Sequence, residues 1–307
     1  MTDWRETLSR HVPDFESLRT SGEIYLGPAA GAALVVFALG ILAFGRKASV
    51  YASAVAVLVG FAVANYRYPL FPWIPELRRE ALPWQWLPAL LLLVQIDGVL
   101  GQSQGVPWWG RWRLRLAAGF IAALLVVPAK LPDEWPVHVH ERTWPLLVFT
   151  LMVALGWAGS ESVARQSPGG AVGFGLAGAL FGGSIVVLHA HYGKCSEAMT
   201  FPAAALLGIS IVALIRKSDI GGAVPAVALW LPAMLVVGAT ESYSEVPWYA
   251  FLLAALPPLS LGLMTIPALA RQTGVTKWLV FWILSLGPTI AAVVIAMRAE
   301  ELPKQDW

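Results

Sequence analysis

Ten apolar stretches recur along this 307-residue chain, nearly all about as long as the ~20 residues an α-helix needs to cross a bilayer. They are Ile24–Phe44, Ala48–Ala64, Leu82–Leu100, Leu114–Val127, Thr143–Ser160, Ala171–Leu188, Ala198–Ile215, Gly221–Thr240, Val246–Ala270 and Trp278–Met297. Lipid offers the peptide backbone no hydrogen-bond partner, so segments of this length and character must be helical. The expected fold is therefore all-α: a polytopic integral membrane protein of about ten transmembrane helices.

Composition agrees. Only 13% of residues are charged, where a soluble domain carries about 25%, and mean hydropathy is +0.65. A net charge of +2 gives no electrostatic reason to expect nucleic acid as a partner. The single cysteine, Cys195, excludes an internal disulfide framework. Most of the fifteen tryptophans flank the apolar runs, as in an interfacial aromatic belt.

Residues 1–23 are polar but space Trp4, Leu8, Phe15 and Leu18 at helical intervals, which predicts a short amphipathic helix on the membrane, interrupted near Pro13. Residues 24–297 form the transmembrane bundle, and 298–307 a polar tail. Short basic loops (GRKAS, RKSDIGG, ARQTGVTK) are expected on the cytoplasmic side, which puts both termini outside. The expected location is a bacterial cytoplasmic (inner) membrane.

One pattern occurs twice. In Trp84–Trp108 and again in Trp230–Trp248, Trp-Leu-Pro-Ala is followed at the same offset by an acid (Asp97, Glu241), then by Ser and Val-Pro-Trp. With ten spans the two copies run in opposite directions, a 5+5 inverted repeat of the kind secondary transporters use. Spans three and eight would then form a central pair with the glycine-rich sixth span packed between them. Gly27-x-x-x-Gly31, Gly169-x-x-x-Gly173 and Gly178-x-x-x-Gly182 are expected to mark close helix contacts, and the prolines within spans to mark kinks or breaks.

Few residues can carry chemistry in such a chain. Asp97 lies about 16 Å along its span from Trp86, near mid-membrane, where a carboxylate needs a proton, water or a partner. It is the first candidate for a coupling carboxylate, with Gln95 two residues before it. Glu161 has Arg165 at i+4, the spacing of an ordinary helix-end ion pair, and Glu241 is placed at an outer mouth. Four of the five histidines form two His-x-His pairs, His138/His140 and His189/His191, with Cys195 close behind the second. Such donors suit zinc or copper, provided the two loops meet.

No Gly-x-x-x-x-Gly-Lys phosphate loop, His-Glu-x-x-His or Cys-x-x-Cys occurs, and an enzyme is the less favoured class. The leading expectation is transport of a small solute or ion through an intramembrane carboxylate. Two other readings fit the same residues: a non-catalytic subunit of a larger membrane complex, and a metal-binding protein using outer-face histidines. The bilayer is the first expected partner, with other membrane subunits or a second copy of the chain beside it.

Overall fold

The computed structural model describes residues 19–71, 82–101, 107–128, 142–166, 169–241 and 246–301, and every long regular element among them is helical. A single π-helical turn, Gly22–Leu26, leads into α1 (Gly27–Phe44); α2 is Ser49–Arg67. A 3₁₀ turn, Pro83–Trp86, opens α3 (Leu87–Gly101), and α4 is Trp108–Val126. Then come α5 (Thr143–Gln166), α6 (Gly169–His189), α7 (Gly193–Arg216) and α8 (Val224–Glu241). The ninth expected span is broken into α9 (Trp248–Ala255), α10 (Pro257–Leu261), a 3₁₀ turn and α11 (Pro267–Ala270), and α12 is Gly274–Glu301. Among the described residues, eight helices are long and apolar enough to cross a membrane, and Pro83–Ile96 is a shorter apolar one. This is a multi-pass α-helical membrane fold. The amphipathic segment expected over 1–18 and the tail at 302–307 lie outside the described residues.

The most enclosed helices are α6, α7 and α8. Glycine explains why α6 can be central: a Cβ on Gly170 would meet the α7 backbone at Leu214 and Ser210, and one on Gly182 would meet Thr289 of α12. Gly208 of α7 lies so close to α1 that a Cβ there would sit 2.0 Å from the Ala30 carbonyl oxygen. Two expectations are corrected. Among the described residues, Gly27 and Gly31 make no seam with another helix; α1 packs through the stripe Ala29, Ala33, Phe37 and Ile41 instead. Nor does α6 lie between α3 and α8, because α3 packs directly on α8, with α2 and α4 as its other neighbours.

Proline sets the second packing rule. Pro202 in α7 has no N–H, which frees the Ala198 carbonyl four residues back. The Trp230 indole of α8, wholly buried, donates to that carbonyl at 3.1 Å. In the same way Pro288 in α12 frees the Leu284 carbonyl, which accepts the Ser260 hydroxyl of α10. Just past the break at Pro257-Pro258, Ser160 of α5 donates its hydroxyl to the Pro258 carbonyl at 2.8 Å. The carbonyls that Pro202 and Pro288 free thus have indole and hydroxyl partners.

Trp230 also anchors an aromatic nest. Phe61 and Phe71 meet it edge-on at 5.0 and 5.5 Å, and Trp84 meets Phe71 at 5.7 Å. Phe71 reaches the nest because buried Asn65 folds the chain back after α2. The Asn65 Oδ1 accepts from the Leu70 and Phe71 N–H groups, and its Nδ2 donates to the Phe71 carbonyl. The two Trp-Leu-Pro-Ala copies thus serve different ends: Trp86 lies in the 3₁₀ turn before α3, whereas Trp230 sits inside α8 at full burial.

Helix direction alternates along the chain. Val50, Glu161, Ser218 and Gly222 share one end of the bundle, since Gly222 touches the Val50 carbonyl and Gly169 touches Ser218. Arg46, Lys47, Arg216, Lys217, Arg271 and Lys277 lie at or just beyond the same helix ends. Tyr68, His191, Glu197 and Glu241 mark the opposite end.

Candidate functional site

On α3, the buried residues Leu87, Leu90, Leu91 and Val94 follow the i, i+3, i+4, i+7 rule, and Gln95 continues that inward stripe. Leu92, Leu93 and Ile96 face outward. Gln95 is 1% exposed, and among the described residues neither its amide oxygen nor its amide nitrogen has a hydrogen-bond partner. Asp97 lies on the same helix one residue past Ile96, but its side chain is outside the described residues. Gln95 stands about 12 Å along α3 from Leu87, at 1.5 Å per residue.

Near the basic end, Glu161 is the hub of a charge cluster. Its Oε2 accepts from Arg115 of α4 at 2.7 Å, and its Oε1 accepts from Arg165, one turn further along α5. The Glu161 and Arg115 side chains are 8% and 12% exposed. The Arg115 guanidinium also lies 5.6 and 5.7 Å from the Trp112 and Trp157 ring centroids, within reach of a cation–π attraction. Asp219, in the turn before α8, accepts from the Gly221 N–H at 2.6 Å. Burial pushes the Asp219 carboxyl up, against the pull of that N–H and of Arg165. The sequence shows the Glu161–Arg165 spacing, but Arg115 lies 46 residues from Glu161 and only the antiparallel packing of α4 on α5 joins them.

At the opposite end, Glu241 is the exposed last residue of α8, as its late position in that span requires. The second His-x-His pair is split by the end of α6. His189 closes the helix and is buried, while His191 follows at φ 59° and is exposed. Cys195 is wholly buried in the first turns of α7. His138 and His140 lie outside the described residues, and within those described no group of three His, Cys, Asp or Glu side chains could hold a metal ion. The Tyr192 hydroxyl is pushed up to about 12, by burial first and then by the charges of Cys195 and Glu241. A contact not foreseen from sequence is the Tyr68 hydroxyl donating to Glu197 at 3.2 Å, which ties the end of α2 to the start of α7. Tyr192 also lines an open groove of about 450 Å³ beside Trp84, Gln85 and Lys194.

The fold and these polar positions define a multi-pass α-helical membrane protein. No protein-family model matches the chain, and no curated protein matches it.

Proposed function

We propose that this protein carries a small polar solute or ion across the bilayer along α3, with Asp97 as the carboxylate that takes up and releases a proton. The observation that supports this reading is Gln95. Its amide is enclosed by the bundle yet has no partner among the described residues, and leaving a buried donor or acceptor unpaired costs about 1–3 kcal/mol. Leucine or methionine would fill a similar volume without that cost. An amide that can both donate and accept suits water or a polar solute moving between α3 and its neighbours. Asp97, two residues on, adds the ionisable group, and such groups within spans serve ion or proton paths by default. Glu241, exposed at the end of α8, is suited to gather cations at the mouth. Glu161, with an arginine on each oxygen, belongs to the frame. Adjacent, oppositely directed α3 and α8 are compatible with an inverted-repeat carrier.

Gln95→Leu separates transport from packing. The variant should unfold at the same or a higher temperature in mild detergent, because an unpaired buried amide has been removed. Its proton flux, read by a pH-sensitive dye inside reconstituted liposomes, should fall at least about tenfold, the loss of about 1.4 kcal/mol of transition-state stabilisation. Unchanged flux, or a marked loss of stability, would count against the reading.

A further inference from the structure

A groove of about 450 Å³ opens between the turn that joins α6 to α7 and the 3₁₀ turn before α3. Leu70, Leu82 and Trp84 give it an apolar wall, and Gln85, His191 and Lys194 bring polar groups to it. No acid is among its lining residues. Glu197 is engaged by the Tyr68 hydroxyl, and Glu241, whose charge reaches Tyr192, ends α8 outside the lining. Four features of the groove go against what packing alone would select. Lys194 lies in the first turn of α7, where the positive end of the helix dipole favours acids, and no acid stands there. No ion pair among the described residues engages it. No side chain caps this end of α7, and among the described residues the Gly193 and Lys194 N–H groups have no partner. His191 holds φ 59°, which a glycine takes more readily, so what the histidine adds is its exposed ring. Trp84 is 6% exposed, and its indole N–H has no partner among the described residues.

We propose that this groove binds a small organic carboxylate, its anionic group held by Lys194 and the start of α7 and its apolar body laid against Trp84 and Leu82. An anion answers the lysine and the uncapped N–H groups at one point, since both belong to the same helix turn. It also relieves the cost of a cation placed at the positive end of a helix dipole. The His191 ring and the Trp84 indole supply further donors around the groove. The apolar wall favours a short ring or chain over a bare inorganic anion, and the volume suits a small molecule. The groove lies at the end of the bundle opposite the Glu161 cluster. Equilibrium binding there requires no movement of a proton along α3, so its test stands apart from that of the transport reading.

The test is fluorine NMR of para-fluorobenzoate with the whole chain in bilayer discs of phosphatidylcholine. The probe should bind saturably, and hexanoate should displace it at lower concentration than acetate does. Lys194→Gln alters an exposed side chain and should weaken the probe at least about tenfold, the loss of one charge-assisted hydrogen bond. The same variant should leave the weaker binding of neutral para-fluorobenzamide unchanged. His191→Gly eases the turn while removing the ring, and should weaken the probe about fivefold. Absence of saturable binding, or equal affinity in wild type and Lys194→Gln, would overturn the proposal. Acetate displacing the probe as well as hexanoate does would mean a bare anion site and overturn the organic assignment. Displacement of the probe by phosphatidylglycerol added to the discs would assign the groove to a lipid headgroup and overturn it as well.

Discussion

Glu161→Gln is expected to lower the stability of the folded chain by about 3–5 kcal/mol, because it leaves the Arg115 guanidinium buried without its counter-charge. Arg165 cannot compensate. It is a cation itself, and at 38% exposure its pairing with Glu161 is screened and worth far less. The measurement is the unfolding midpoint in mild detergent. Replacing both partners, Arg115→Met with Glu161→Met, should recover most of the loss, since a buried ion pair is often no more stable than apolar groups of similar volume. Arg115→Met alone should cost less than Glu161→Gln, because Glu161 then keeps Arg165. A Glu161→Gln variant as stable as wild type would mean that water or headgroups already screen the cluster.

Trp230→Ala is expected to cost a similar amount, about 3–5 kcal/mol, by opening a cavity where α2, α7 and α8 meet. Trp230→Phe isolates the hydrogen bond within that total. It keeps an aromatic ring but leaves the Ala198 carbonyl without the donor that replaced the Pro202 N–H. Hydrogen bonds between membrane helices average about 0.6 kcal/mol and reach about 1.7. Pro202→Ala restores an N–H to that carbonyl. The cost of Trp230→Phe should therefore be about 1 kcal/mol smaller in the Pro202→Ala background, measured by the same unfolding assay as a double-mutant cycle. Equal costs in both backgrounds would show that the indole contributes by packing alone.

The spans were readable because lipid forces helical segments of a fixed minimum length, and each expected apolar run contains at least part of a helix. Helix ends were less readable. The fourth span is expected to start at Leu114, because Arg111 and Arg113 look like loop residues, and the fifth to end at Ser160, with Glu161 and Arg165 as a helix-end pair. All four lie within helices. Arg115 and Glu161 neutralise each other across the α4–α5 contact, which spacing along one segment cannot reveal. The Gly27-x-x-x-Gly31 pattern misled for a related reason: small residues allow close approach only on a face that meets a neighbour, and α1 meets its neighbours through Ala29 and Ala33. Prolines inside helices were visible, but not the Trp230 indole and Ser260 hydroxyl that answer their freed carbonyls. Gln95 was legible as a polar residue beside Asp97. That it lies on the buried stripe of α3 and has no partner among the described residues depends on the phase of the helix against α2, α4 and α8.

The proposed transport depends on Asp97 carrying a proton through the membrane. Its most direct test is proton flux into dye-loaded liposomes under an imposed potassium-diffusion potential, comparing wild type with Asp97→Asn. Wild type should show protein-dependent flux, and an Asp97→Asn variant with the same elution profile and unfolding midpoint should show only the rate of empty liposomes. An Asp97→Asn variant moving protons at the wild-type rate, or a wild-type protein moving none, would contradict it.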